Sequence, residues 1–167
     1  MHKALGEGGI IAEDLGYLTP EVKAMLAASG YPGMKIMQFA FDSREPGNYL
    51  PYTYPRNSVV YTGTHDTPTF VQWLFEQAAP AERDYAFDYL RLREDEGFGW
   101  GAVCGAWMSP CRLAIAPMQD LLGLGGDARI NTPGSMGPHN WSWRVRAEAL
   151  NPSVSGKLAK ITRTYRR

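Results

Sequence analysis

Ser58-Val59-Val60-Tyr61-Thr62-Gly63-Thr64-His65-Asp66-Thr67-Pro68 reads, without interruption, as a buried strand, a tight turn and the start of a helix. Ser58 to Thr62 is short, apolar and rich in β-branched residues, the pattern of a strand covered on both faces. Thr67-Pro68 is a cap followed by a first-turn proline. Phe70, Val71, Leu74, Phe75 and Ala78 then recur on one helical face. His65 and Asp66 fall between the two elements, at the C-terminal end of the strand.

The same unit repeats on either side. Gly9 to Ala12, Met34 to Phe41 and Arg112 to Pro117 are further short apolar runs that predict buried strands. Thr19 caps a helix with Pro20 in its first turn and Val22, Met25 and Leu26 at helical spacing, ended by Gly30. A helix from about Pro80 carries Tyr85, Ala86, Tyr89 and Leu90 on its inner stripe and stops near Gly97. Gly99 to Met108 predicts a short helix, Leu122 to Gly137 a glycine-rich stretch, and Pro152 to Tyr165 a final helix.

Strands alternating with helices imply parallel βα units, hence the α/β class. A closed eight-unit barrel takes about 250 residues, so 167 residues supply about half of one. Length alone also admits an open four-stranded sheet, whose two exposed edges would invite pairing.

Composition narrows the function. Seventeen basic residues balance seventeen acidic ones, so the chain lacks the basic field that nucleic acid or an anionic membrane requires. No apolar run reaches the roughly 20 residues of a membrane span, and Met1-His2-Lys3-Ala4 is no secretory signal, which predicts a cytoplasmic protein. Cys104 and Cys111 form neither a disulfide framework nor a zinc pattern. They are expected as reduced thiols in the core, and neither a metal nor a cofactor is expected. Phe, Trp and Tyr make up 12% of the chain; such rings serve as core or as flat faces for sugars.

Two strands end in carboxylates. Ile10-Ile11-Ala12-Glu13-Asp14-Leu15-Gly16 delivers Glu13 and Asp14 to a strand end, as the quoted stretch delivers Asp66. In parallel α/β folds the C-terminal ends of strands are where sites lie. Two carboxylates aimed at one mouth suit acid catalysis and oxocarbenium stabilisation at a glycosidic bond. Taken singly, Asp66 reads equally as a turn residue before a helix and His65 as a buried, hydrogen-bonded histidine. A serine-based triad is excluded, because no Gly-x-Ser-x-Gly elbow occurs.

Longer motifs go further. Ile11-Ala12-Glu13-Asp14-Leu15-Gly16, Thr19-Pro20-Glu21-Val22, Pro32-Gly33-Met34-Lys35, Gln38-Phe39-Ala40-Phe41-Asp42 and Tyr61-Thr62-Gly63-Thr64-His65-Asp66 closely resemble the 4-α-glucanotransferases of the amylomaltase, or disproportionating enzyme, family. The match continues through Ala114-Ile115-Ala116-Pro117-Met118-Gln119-Asp120-Leu121, Arg129-Ile130-Asn131-Thr132-Pro133-Gly134 and Asn140-Trp141-Ser142-Trp143-Arg144. It covers about residues 10 to 165, in order.

The resemblance implies the C-terminal half, about strands five to eight, of a TIM (β/α)8 barrel of the α-amylase type. It implies retaining transfer of α-1,4-glucan segments between maltooligosaccharides, with an acceptor sugar as second substrate. Glu13 matches the family's acid/base and Asp66 its transition-state-stabilising Asp. His65 and Asn131 match ligands to the bound glucan, and Asp42 is placed with them as substrate-binding. Phe39 resembles an aromatic of the acceptor side or belongs to the core. Trp141 and Trp143 match a family motif and either touch sugar or pack the end of the barrel. Neighbouring carboxylates in the assembled site are expected to raise the pKa of Glu13.

Two departures stand out. The family's nucleophilic Asp lies in an Arg-x-Asp motif well upstream of the Glu13 strand, and nine residues precede Ile10 here. The chain is therefore expected to be one partial catalytic domain over residues 1–167 with the N-terminal half absent, inactive alone and prone to associate with itself or with the missing half. Thr67-Pro68 stands where many relatives carry Asn and a second polar residue. Two other readings remain open, a non-catalytic glucan-binding module and a half-barrel that acts only by complementation.

Overall fold

A computed structural model describes residues 9–42 and 49–167; the opening Met1-His2-Lys3-Ala4 lies outside the described residues. Three parallel strands, β1 (Gly33–Ile36), β2 (Ser58–Tyr61) and β3 (Leu113–Ile115), form a sheet in chain order. Gly33 pairs with Ser58 and Ile36 with Tyr61, while Val59 pairs with Leu113 and Tyr61 with Ile115. Val59 and Val60 of the central strand are fully buried. This is the parallel α/β order that the sequence predicts, but β3 is not the buried strand expected from Arg112 to Pro117: it lies at the edge of the sheet, and Leu113 and Ile115 are exposed.

The first predicted strand, Gly9 to Ala12, does not join the sheet. Its amide at Ala12 donates to the Pro32 carbonyl at 2.9 Å, which starts a parallel ladder beside β1. The next donor along β1 is Met34 N, and it goes to the Asp14 side chain (Oδ1, 2.5 Å) rather than to a strand carbonyl. A carboxylate has taken the position where the ladder would continue. Gly33 makes room for it, since a Cβ there would stand 2.6 Å from Asp14 Oδ2.

Helix α1 (Pro20–Ser29) begins as predicted. Thr19 Oγ1 accepts from Val22 N, and Gly30 closes the helix at φ 69°, a left-handed angle that costs a residue without a Cβ little. The Met34 to Phe41 run is strand only to Ile36 and then turns as a short 3₁₀ segment over Met37–Phe41, which buries Met37 and Phe41 beneath the helices. Helix α2 (Phe70–Gln72) widens at once into a π turn, Trp73–Gln77. Its cap is Thr69, whose Oγ1 accepts from Gln72 N at 3.1 Å, and not Thr67. Phe70 and Leu74 are fully buried, but Phe75 is half exposed.

Helix α4 (Phe98–Met108) packs on β3, and helix α3 (Pro80–Leu90) packs on α4 and on the 3₁₀ turn after β1. Helix α3 stops at Arg91, in left-handed backbone, rather than near Gly97, and Tyr85 faces partly to solvent while Ala86 and Leu90 are buried. Phe41 binds this layer together, with ring centroids 5.9 Å from Trp73 and 5.8 Å from Tyr89. Helix α4 carries Gly99 where it crosses the short α5 (Met118–Leu121), and a Cβ on Gly99 would overlap the Asp120 carbonyl oxygen. Helix α6 (Pro152–Thr164) closes on α4 through Trp107 Nε1, which donates to Thr162 Oγ1 at 3.1 Å. Cys111 is buried and Cys104 partly so, both as free thiols.

Candidate functional site

The β2 strand ends at Tyr61, and the chain must then turn sharply to reach α2. Thr62 to Thr69 makes that turn, held from below by two buried polar side chains. Gln38 Nε2 donates to the Pro68 carbonyl at 2.9 Å. Asp120, 1% exposed, accepts from Thr62 Oγ1 at one oxygen and from Phe70 N (2.8 Å) at the other. One carboxylate thus ties the end of β2 to the start of α2. Burial pushes the Asp120 carboxyl above the usual carboxylate range, against the two hydrogen bonds that favour its charge. Within the loop, Thr67 Oγ1 accepts from Thr64 N at 2.8 Å.

His65 and Asp66 stand on this pinned loop with half-exposed side chains, His65 Nε2 lying 3.4 Å from Asp66 Oδ1. Asn131 arrives from the segment after α5. Its Nδ2 donates to Asp66 Oδ1 at 2.7 Å, and its amide donates to the His65 carbonyl at 3.1 Å. Arg129 reinforces the same joint, with Nη2 donating to the Asp66 carbonyl and Nε to the Asn131 carbonyl, both at 2.8 Å. Trp141 takes a left-handed φ of 63°, donates its amide to the Ile130 carbonyl at 2.7 Å, and lays its ring 5.1 Å from that of His65.

Glu13 approaches from the other side. Of the two consecutive carboxylates, Asp14 turns inward, bonded to Met34 N and 3.7 Å from Lys35 Nζ, while Glu13 is exposed. Glu13, His65 and Asp66 line one cleft of about 430 Å³, floored by Met34, Tyr61 and Ile115 from the three strands. The cleft sits at the C-terminal ends of parallel strands, where the topology leads sites to form.

The predicted residues do not all meet there. Asn131 reaches the cleft through Asp66. Phe39 and Asp42 stand in and after the 3₁₀ turn that follows β1, outside this lining; Phe39 is 45% exposed and its ring lies 6.5 Å from that of Tyr49. Asp120, Gln38 and Arg129 hold the loop, yet their motifs offered no sign of it beyond their place in the family match. Only contacts across the fold identify them. Among the described residues, no cluster of three His, Cys, Asp or Glu side chains could hold a metal ion.

A model of the 4-alpha-glucanotransferase family matches residues 1–150. The 4-alpha-glucanotransferase of Clostridium butyricum is 43% identical over 98% of this chain, and that of a Synechocystis species is 45% identical over 99%. Each match takes in 33% of the relative, so the chain spans about a third of the length of these relatives. In structure it is similar to the amylomaltase from Streptococcus agalactiae in complex with acarbose, with a TM-score of 0.91 and 35% identity over 99% of this chain and 33% of that one. The family match over residues 1–150, together with these relatives, shows that the chain belongs to the 4-alpha-glucanotransferase family.

Proposed function

We propose that this chain provides the acid/base and charge-stabilising side of a 4-α-glucanotransferase site, built on the C-terminal half of a (β/α)8 barrel. The observation that carries the reading is the single cleft shared by Glu13, His65 and Asp66. Glu13 is open to a ligand, whereas Asp66 is oriented by Asn131.

In the first half-reaction the C1–O4 bond of an α-1,4-glucan breaks. The departing oxygen takes the proton of Glu13, and C1 bonds to a nucleophilic carboxylate contributed by chain outside these residues. In the second, the 4-hydroxyl of an acceptor sugar attacks C1, gives its proton back to Glu13 and displaces that carboxylate. Asp66 stays ionised and holds sugar hydroxyls while positive charge develops at C1. His65, flanked by Trp141, holds the sugar at the bond being cleaved. Acarbose in the similar amylomaltase supports an oligosaccharide ligand for this cleft. Phe39 serves the acceptor side, one strand along, and Asp42 binds substrate.

The test is maltotriose disproportionation by the purified chain, alone and mixed with the upstream portion of a relative, with glucose and longer maltodextrins as readout. Products are expected in the mixture only, and Glu13→Gln should abolish them. Products from the chain alone would overturn the division of labour, and no products in either case would overturn the transferase reading.

A further inference from the structure

Glu13-Asp14 offers the cleft two consecutive carboxylates, and where a chain runs extended, neighbouring side chains point to opposite faces. A slip of one residue would exchange them. The contacts of Asp14 settle which one enters. Its side chain is 7% exposed, with Oδ1 accepting from Met34 N at 2.5 Å and Oδ2 lying 3.7 Å from Lys35 Nζ. We infer that Asp14 is the positioning residue for Glu13, anchoring the chain on β1 so that the neighbouring carboxylate is held out into the cleft.

Two tethers bracket Glu13. On one side Ala12 N donates to the Pro32 carbonyl at 2.9 Å. On the other, Asp14 accepts from Met34 N, two residues further along the same neighbouring segment. Glu13 is the one residue between the anchored pair, so its backbone is restrained although its side chain is exposed. The clefts follow the same division. Glu13 lines the 430 Å³ cleft with Met34, and Asp14 does not. Asp14 lines a separate cleft of about 340 Å³ with Gly33 and Lys35, and Glu13 does not. Gly33 and Lys35 alternate with Met34 along β1 and so stand on its other face.

The surroundings are made for a carboxylate. One that is nearly removed from water needs donors, and Met34 N and Lys35 supply them. Lys35 Nζ is itself seated 5.3 Å from the centre of the Tyr49 ring. Gly33 leaves the space, because a Cβ there would stand 2.6 Å from Asp14 Oδ2, and an alanine would push the carboxylate off the Met34 amide. The role of Glu13 as acid/base rests on the proposed function; the anchor rests on these contacts alone.

Two substrates, in the mixture with the upstream portion of a relative, test this. Maltotriose needs a proton from Glu13 as its C1–O4 bond breaks. α-Maltosyl fluoride with sodium azide needs none, since fluoride leaves as the anion and azide attacks C1 with no proton to surrender. Asp14→Ala should lower maltotriose turnover about a hundredfold, the scale of a misplaced catalytic group, and α-maltosyl fluoride turnover by no more than about threefold. Gly33→Ala should do the same. Asp14→Asn keeps an acceptor for Met34 N and should retain most of the maltotriose rate. In the chain alone, ¹⁵N relaxation should give the Glu13 amide an order parameter of about 0.85 in the parent and in Asp14→Asn, and below about 0.6 in Asp14→Ala, with β2 unchanged. Equal losses on both substrates, no loss on maltotriose, an Asn variant as slow as the Ala variant, or a Glu13 amide that stays ordered in Asp14→Ala would each overturn the inference. A parent mixture silent on both substrates would overturn the transferase reading instead, and the relaxation data would still score the anchor.

Discussion

Asn131 donates from its side chain to the Asp66 carboxylate at 2.7 Å and from its backbone to the His65 carbonyl at 3.1 Å. One residue from a distant segment therefore fixes both the side chain and the backbone of the loop between β2 and α2. If Asp66 stabilises charge during glycosyl transfer, Asn131 governs where that charge sits. Asn131→Ala should lower turnover of maltotriose in the reconstituted mixture by about a hundredfold, the scale of losing one preorganised hydrogen bond at a reacting centre. The thermal midpoint of the chain should change little, because the bond is exposed. Turnover within a fewfold of the parent protein would show that Asp66 needs no such support.

Asp120 joins Thr62 to Phe70 in the interior, and its removal should be felt as stability. Asp120→Ala leaves the Thr62 hydroxyl and the Phe70 amide buried and unpaired, which should cost about 2 to 4 kcal/mol. Urea denaturation measures this directly.

Asp120→Asn keeps an acceptor for Phe70 N, and the Thr62 hydroxyl can turn to accept from the new amide. Burial holds the folded-state pKa of Asp120 above its ordinary 3.8. The contribution of this group to stability is therefore fully present below about pH 4 and is lost as pH rises through the raised folded value. Asp120→Asn does not titrate, so its stability relative to the parent should improve as pH is raised from 3 to 8. A difference that runs the other way would mean that the two hydrogen bonds outweigh desolvation.

Two glycines should respond in opposite directions. Gly99→Ala drives a Cβ into the Asp120 carbonyl, a backbone atom that cannot swing aside, and should destabilise the chain by about 1 to 3 kcal/mol. Gly156, within α6, has nothing near its would-be Cβ, and Gly156→Ala should stabilise by about 0.5 to 1 kcal/mol. Thermal denaturation of the two variants side by side is the check.

Arg167 ties down the end of α4. Its Nε donates to the Trp107 carbonyl at 3.0 Å, and its two terminal nitrogens reach the carbonyls of Ser109 and Cys111. A planar fork makes three such bonds at once, which a lysine cannot. Arg167→Lys should therefore lose about as much stability as Arg167→Ala, roughly 1 to 2 kcal/mol for partly exposed bonds, measured as a shift in urea midpoint. Full retention by the lysine variant would reduce the contact to charge alone.

Periodicity found the elements whose cause is local. The Thr19 cap, the Gly30 stop, the Pro80 and Pro152 helix starts and the β2 strand all appear where the residues predict them, because caps, prolines and β-branched runs act within a few residues of themselves. It erred where distant groups compete for the same backbone. Asp14 takes the Met34 amide that a strand at Gly9 to Ala12 would have used, and Asp120 takes the Phe70 amide, one residue past the observed Thr69 cap and beyond the expected Thr67. The exposure of Tyr85 and Phe75 is of the same kind, since the stripe that a helix buries depends on what packs against it.

The sequence by itself determined the alternation of strands and helices, the α/β class, the family, and the arrival of Asp66 at a strand end, since these follow from side-chain chemistry read in order along the chain. Only the tertiary structure decided that Glu13 and not Asp14 faces the cleft, that Asn131 and Arg129 brace Asp66, that Asp120 sits beneath the loop, and that the Trp141 ring lies against His65. Each of these is settled by which group reaches a given hydrogen-bond partner or ring across tens of residues of chain, and local propensity carries no information about that competition.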